Sequence, residues 1–192
     1  MGCENSKSDS NDEDEIQEHE DEFNENRVDS IKSTWPILTR DRMQTGSNLF
    51  RHIFLVEPRI KALFKRDRSM TDEEVLHSIE FKHHVERFMH SMDQVVENID
   101  KDRDNVEHML LILGAKHATY DGFKEDYFSV YANCMIDTWE SVIGEEFIKE
   151  VRESWELLVA YVIRYMSEGF KMYTHDSCEE IHMEHLHEED PD

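Results

Sequence analysis

The sequence predicts an all-α domain flanked by acidic segments. Between Val28 and Tyr173 apolar residues recur every three or four positions, which is the spacing of one face of an α-helix. The alternation of apolar and polar residues that is typical of strands is absent there. Only five glycines and two prolines interrupt this stretch, so we expect long helices joined by short turns.

Two prolines divide the first part of the stretch into elements. The first helix should end or kink near Pro36, because proline removes a helical hydrogen bond and its ring clashes with the preceding turn. A second helix should end near Glu57, since Pro58 disfavours helical geometry in the residue before it. Pro58 itself suits the first position of a helix, so a short helix is expected to follow.

A capping signal predicts the next element. Thr71-x-x-Glu74 is a capping-box pattern and indicates the start of a long helix. Residues at helical spacing form one stripe along that helix: Phe81, His84, Val85, Phe88, Met92, Val95, Val96 and Ile99.

Glycines separate the remaining helices. One helix carries Leu113 and His117 and should end at Asp121-Gly122, because glycine favours a helix C-terminus. Two long segments follow, roughly 123–143 and 145–173, and Gly144 lies between them. Together these segments complete the expected all-α domain.

Acidic residues are concentrated at the two ends of the sequence. Residues 9–25 contain ten Asp and Glu and no Lys or Arg, and residues 176–192 contain eight and none. They supply most of the net charge of −24, whereas residues 27–175 hold 26 acidic and 20 basic residues. We therefore expect a disordered tether at 1–27, a folded domain at 28–173 and a disordered, His-containing tail at 174–192. Phosphate would repel this charge, which argues against nucleic acid as a partner.

The first six residues, Met1-Gly2-Cys3-Glu4-Asn5-Ser6, match the pattern for N-myristoylation of Gly2. A single myristoyl chain binds membranes only marginally, with an association constant of about 10⁴ M⁻¹. The acidic residues that follow are repelled by anionic lipid, so the second anchoring signal should be palmitate on Cys3. No apolar run reaches 18 residues and no secretory signal is visible. We expect a lipid-anchored protein on the cytoplasmic face of the plasma membrane.

Two histidines carry the strongest chemical signal. His84 and His117 are 33 residues apart, and each lies in a stretch with helical apolar spacing. Two imidazoles that face each other across an apolar slot can hold one metal centre from both sides. His83 points about 100° away from His84 on a helix, and the apolar stripe selects His84.

At these residues the sequence resembles the globin family, over about residues 28–172. Gly46 is similar to the glycine at which the first two globin helices cross. Glu57-Pro58 followed by Leu63-Phe64 resembles the short third helix and the phenylalanine that stacks on haem. Phe81-x-x-His84-x-x-x-Phe88-Met89 resembles the distal helix, and Leu113-Gly114-x-Lys116-His117-Ala118-Thr119 resembles the proximal helix. The pattern is closer to neuroglobin and to the acylated globin X group than to myoglobin.

The resemblance implies a globin fold of about seven to eight helices that enclose one haem b group. His117 would be the proximal iron ligand. His84 would be the distal residue, which either binds the iron itself or donates a hydrogen bond to a bound diatomic molecule. Arg87 would lie near a haem propionate. The other haem contacts that the resemblance implies are Phe50, Phe64, Phe88, Leu113, Phe123, Phe128 and Tyr131.

The resemblance also implies a function. A membrane-anchored globin with hexacoordinate haem iron would bind O₂, NO or CO and serve in redox chemistry or gas sensing, with a reductase or a signalling protein as partner. It implies no catalytic residues. Two alternatives stay open from the sequence: a haem-free globin-fold regulatory module, and a haem enzyme such as a nitrite reductase, an NO dioxygenase or a peroxidase.

Overall fold

A computed structural model describes residues 22–65, 67 and 69–186, the last eleven of these only as helical backbone. Within these residues the chain forms eight α-helices and no strand. The all-α prediction is therefore confirmed. The helices are α1 (Glu25–Leu38), α2 (Arg42–Val56), α3 (Pro58–Ala62), α4 (Asp72–His77), α5 (Ile79–Asn98), α6 (Arg103–Ala118), α7 (Tyr127–Ile143) and α8 (Lys149–Leu186), with a 3₁₀ turn at Gly144–Glu146.

Side-chain caps start most of these helices. An oxygen at the N-cap accepts a hydrogen bond from a free backbone N–H of the first turn, a contact that typically stabilises a helix by about 1 kcal/mol. The residues that cap in this way are Asn24, Asp41, Glu57, Thr71, Ser78 and Asp102. Gly144 ends α7 with a φ of 69°, a left-handed conformation that favours glycine.

Both prolines of the domain lie near a helix end. Glu57 follows the last residue of α2, and Pro58 is the first residue of α3, so that prediction is confirmed. Pro36 lies inside α1, and the helix ends two residues later at Leu38. The proline therefore lies in the last turn, so the hydrogen bond that it removes is lost where the helix ends.

The long helix predicted to begin at Thr71 is divided in two. The capping box itself is present, because Thr71 Oγ1 accepts from the Glu74 N–H and Glu74 Oε2 accepts from the Thr71 N–H. However, α4 ends at His77, and Ser78 adopts an extended conformation with ψ at 152°. The Ser78 hydroxyl then accepts from the N–H of Phe81 and starts α5. A second cap therefore interrupts the helical pattern.

The segment after α6 also differs from its prediction. Helix α6 ends at Ala118, before Asp121-Gly122, and α7 begins at Tyr127 rather than at residue 123. The residues between them form turns, and Gly122 has a φ of 81°. This irregular corner places Phe123 next to His117.

The core is one continuous cluster. It includes Trp35, Trp139 and Trp155, whose ring centroids lie between 5.9 and 6.4 Å apart. At Gly46 helices α2 and α5 cross closely, since a Cβ atom there would lie 2.5 Å from Cγ1 of Val85. Gly46 was predicted to lie at the crossing of the first two helices. That partner is wrong, because the atoms nearest to a Cβ at Gly46 belong to Val85 and Met89 of α5.

The folded body continues beyond the predicted boundary at residue 28. Helix α1 begins at Glu25, and the side chain of Phe23 is only 5 % exposed. Its ring packs edge-on against Tyr161 at 5.3 Å, and the guanidinium of Arg103 lies 5.5 Å from its centroid. At the other end, α8 extends past residue 173 to Leu186. Gly2, Cys3 and most of the predicted tether lie outside the described residues.

Candidate functional site

Two cavities of about 260 and 300 Å³ adjoin between α5 and α6. Five residues line both of them, namely His84, Arg87, His117, Tyr120 and Tyr131. The structure therefore brings the two predicted histidines to one place. The size suits a small-molecule site, and the largely apolar lining suits an organic ligand.

His117 lies in the last turn of α6, where its Nδ1–H donates a 2.7 Å hydrogen bond to the carbonyl oxygen of Leu113. A carbonyl can only accept, so the proton is on Nδ1 and the lone pair of Nε2 is free. The rings of Phe123 and Phe128 lie 5.0 and 5.6 Å from the imidazole. Burial lowers the pKa of His117 against the opposing effect of the Leu113 hydrogen bond. The imidazole is held neutral and oriented, which is the state that a metal requires.

His84 lies in α5 and lines both cavities together with His117. The rings of Phe50 and Phe64 each lie 5.0 Å from its imidazole, both nearly edge-on. Burial, helped by His117 and Arg87, lowers the pKa of His84 to about 3. This imidazole is therefore also neutral at physiological pH. The neighbouring His83 is exposed, as the apolar stripe predicted.

The other predicted contact residues surround these two histidines. Leu113, Phe88 and Phe128 line the larger cavity, Phe64 and Phe123 line the smaller one, and Tyr131 lines both. Burial raises the pKa of Tyr131 far above its ordinary value, so its hydroxyl keeps its proton.

Phe50 has a different place from the one predicted. It is fully buried and lines neither cavity. Its ring contacts His84 and, at 5.4 Å, Tyr131. Phe50 therefore supports the wall of the cavity from behind.

The rim of the cavities carries positive charge. Arg87 is exposed, and its guanidinium forms no hydrogen bond or ion pair within the described residues. The same holds for the ammonium group of Lys116 on the rim of the larger cavity. Free cations at the edge of an apolar site suit an anionic group on an otherwise apolar ligand. The contact of Arg87 with a haem propionate, which the resemblance implies, stays a prediction.

Sequence reasoning missed several lining residues. Helix α8 contributes Val162, Ile163 and Met166, and Tyr120 lines both cavities from the turn after α6. The three α8 residues have helical apolar spacing, which indicated only a buried face. Nothing in the spacing showed that the face lies against a cavity.

The donor set fits haem better than a bare metal ion. No group of three or more His, Cys, Asp or Glu side chains that could hold a metal occurs in the described part of the chain. An iron already held by a porphyrin needs only one or two protein ligands, and neutral imidazole is a good one. The aromatic walls and the free cation at the rim fit the porphyrin plane and its carboxylates.

Comparison with known proteins agrees with this interpretation of the site. The globin family profile matches residues 47–166. Neuroglobin of Dissostichus mawsoni is 25 % identical over 160 residues, which cover 83 % of this chain and 99 % of that protein. Neuroglobin of Danio rerio is 28 % identical over 141 residues, which cover 73 % and 87 % of the two chains.

A solved structure agrees in fold. The crystal structure of a hexacoordinated haem protein from an anhydrobiotic tardigrade superposes with a TM-score of 0.71 at 19 % identity, over 78 % of this chain and 96 % of that chain. At this identity the likeness concerns the fold alone. From the family profile, the relatives and the two neutral histidines at one cavity, we conclude that the chain belongs to the globin family, in which haem binding is implied, and that it is a neuroglobin-like globin.

Proposed function

We propose that this protein binds haem b through His117 and reversibly binds diatomic gases such as O₂, NO or CO, in a redox or gas-sensing role. The observation that carries the proposal is the free Nε2 of a neutral His117 at the cavities that it shares with His84. Haem supplies an iron with a one-electron couple and a position for a sixth ligand. The protein supplies the proximal ligand, the apolar walls and the cation at the rim.

We further propose that His84 is the sixth ligand at rest. Its neutral imidazole lines the same cavities as His117, and the rings of Phe50 and Phe64 restrict how far it can turn. An external ligand then competes with this side chain. Its apparent dissociation constant equals the intrinsic value divided by the fraction of molecules in which His84 has moved away.

An absorption spectrum of the purified full-length protein tests the proximal assignment. Wild-type protein should show an intense Soret band, and His117→Ala should lose it. His108→Ala, which changes an exposed histidine of the same helix, is the matched control and should keep the band. A wild-type protein that takes up no haem on reconstitution would overturn the proposal and point to a haem-free regulatory module.

The ferrous visible spectrum tests the distal assignment. Six-coordinate iron should give sharp, split bands, and His84→Leu should replace them with the broad band of a five-coordinate centre. His83→Leu, next to it on the exposed face, should leave the split bands unchanged. Retention of the split bands in His84→Leu would show that another group is the sixth ligand.

We also propose that the protein is anchored to the cytoplasmic face of the plasma membrane by myristate on Gly2 and palmitate on Cys3. These residues lie outside the described part, and the support is the sequence motif together with the acidic residues that follow it. Within the described residues, none of the helices combines the length and the hydrophobicity that a bilayer-spanning segment needs. A reductase or a signalling protein at the membrane would be the partner.

Fractionation of cells that express the full chain tests the anchor. Because one acyl chain binds only weakly, Cys3→Ser should move most of the protein into the soluble fraction, as should Gly2→Ala. Cys178→Ser is the control and should stay bound. Full membrane retention of Cys3→Ser would contradict the two-chain anchor.

A further inference from the structure

Helices α6 and α8 approach each other so closely that their backbones touch at two points. A Cβ atom at Gly114 would lie 2.8 Å from the Cα of Met166 and would overlap the carbonyl oxygen of that residue. A Cβ atom at Gly169 would lie 2.8 Å from the Cα of Leu111 and would overlap that carbonyl oxygen in the same way. Each helix therefore contributes one glycine and one carbonyl to a reciprocal contact.

This contact lies in the same helical turn that orients His117. The carbonyl of Leu113, between the two contact points on α6, accepts the hydrogen bond from His117 Nδ1. Because a helical turn moves as a unit, any change in the separation of α6 and α8 also moves this carbonyl. The imidazole follows through its hydrogen bond.

Helix α8 also supports the rings beside His117. Phe170, next to Gly169, lies 5.9 Å from Phe123 and 6.0 Å from Phe128. Both of those rings pack directly against the imidazole. One segment of α8 therefore acts on His117 in two ways. Its backbone contacts the helical turn that contains the Leu113 carbonyl, and its Phe170 packs against the two rings beside the imidazole.

We propose that this segment of α8, which we call the α8 seat and which consists of Met166, Gly169 and Phe170, positions the proximal imidazole. Gly169 is the central positioning residue, since only glycine allows α8 to reach the Leu111 carbonyl. The backbone contact determines the distance between α6 and α8. Phe170 packs against Phe123 and Phe128, and these two rings determine the orientation of the imidazole plane. The inference rests on the proposed haem ligation by His117 and deepens it.

The iron–histidine stretching band in resonance Raman spectra provides the test, because it reports the position of the proximal ligand and not ligand-binding activity. It is measured on ferrous protein in a His84→Leu background, where the iron should be five-coordinate. Gly169→Ala should shift the band and weaken haem affinity by roughly 10-fold, as changes next to a metal ligand commonly do. Glu168→Ala, on the exposed side of the same turn, is the matched control and should change neither.

Two further variants make the result specific. Phe170→Leu keeps an apolar side chain but removes the aromatic ring. It should also shift the band, because it alters the packing of Phe123 and Phe128. Gly46→Ala also introduces a steric conflict, but a milder one, with the side chains of Val85 and Met89 of α5 rather than with backbone atoms. It should leave the proximal band unchanged, while circular dichroism of each apoprotein checks that the helices are retained.

The outcomes separate this inference from the proposed function. A Gly169→Ala protein that folds with the wild-type band and haem affinity overturns the role of the α8 seat and leaves haem ligation intact. If Gly169→Ala does not fold, an unchanged band in Phe170→Leu overturns it instead. A parent protein without haem would remove the proposed function and this inference together.

Discussion

At the scale of single residues, the buried hydrogen bond between Trp155 and Thr34 links α8 to α1. Trp155 Nε1–H donates to Thr34 Oγ1 at 3.0 Å, and the indole is fully buried. Thr34→Val removes the acceptor and leaves a buried N–H unpaired. We expect the free energy of unfolding to fall by about 1–3 kcal/mol, measured by urea denaturation.

Thr138→Val is the matched control for that change. Thr138 is also buried, and its hydroxyl donates only to the carbonyl oxygen of Cys134, at 2.7 Å. Its replacement leaves no buried donor without an acceptor, so the loss of stability should be smaller. Equal losses in the two variants would show that the hydrogen bond from Trp155 adds no stability of its own.

The neutral histidines make apoprotein stability depend on pH. The pKa of His84 is lowered to about 3 in the folded state, from an ordinary value of 6.5. Below about pH 6.5 the unfolded chain therefore binds a proton that the folded protein does not bind, and stability falls as pH decreases toward 3. Each such group contributes up to about 1.4 kcal/mol per pH unit.

We predict that haem-free His84→Leu loses less stability than haem-free wild type when the pH is lowered from about 7 to about 5. Urea denaturation at both pH values measures this, and His83→Leu should behave like wild type because His83 is exposed. Identical pH dependence in His84→Leu and wild type would contradict the buried neutral state.

The sequence predicted which residues belong to the site better than it predicted which of them line the cavities directly. Both histidines, Arg87 and most of the aromatic residues could be placed at one site, which comprises the two adjoining cavities, because globin-like motifs have fixed order and spacing. Phe50 could not be placed behind the wall, because a sequence shows that a residue is apolar but not which neighbour lies between it and a ligand.

At the scale of elements, Ser78 marks the point at which α4 ends and α5 begins. Its hydroxyl accepts from the N–H of Phe81 and donates to the carbonyl oxygen of Val75. It therefore provides a hydrogen-bond partner for one backbone group at the end of α4 and for one at the start of α5. We predict that Ser78→Ala lowers the free energy of unfolding by about 1 kcal/mol, whereas Ser78→Gly lowers it by only a few tenths. Urea titrations followed by circular dichroism compare the two variants, and equal effects would argue against a capping role.

The existence of the helices could be predicted, but some of their ends could not. Pro58 and the capping box at Thr71 are local signals, and the structure contains both. The break at Ser78 lies within an apolar pattern that fits one continuous helix equally well, so periodicity alone could not reveal it. The reciprocal contact of Gly114 and Gly169 joins residues far apart in sequence, which no local pattern can indicate.

At the scale of the whole molecule, Phe23 shows where the folded body begins. Removal of residues 1–21 leaves Phe23 in its contact with Tyr161, whereas removal of residues 1–27 deletes it. We predict that the shorter deletion leaves stability nearly unchanged. The longer one should lower it by about 3–5 kcal/mol, the usual loss when a buried phenylalanine is truncated.

Thermal denaturation at high salt is the appropriate measurement for this pair, because the shorter deletion also removes acidic residues and salt screens that difference. Similar melting temperatures for the two deletions would mean that the predicted boundary at residue 28 is also the energetic boundary. The charge pattern suggested that boundary because Phe23 stands alone among acidic residues. A single apolar residue gives no periodic signal.

All three tryptophans of the chain lie in the one cluster where α1, α7 and α8 meet. Tryptophan fluorescence of the haem-free protein therefore reports on a single buried location, and it should appear at short wavelength. Fraying of α4 would leave the wavelength of maximum emission unchanged, whereas separation of α1, α7 and α8 would shift it to longer wavelength. Fluorescence is thus a selective probe of that junction.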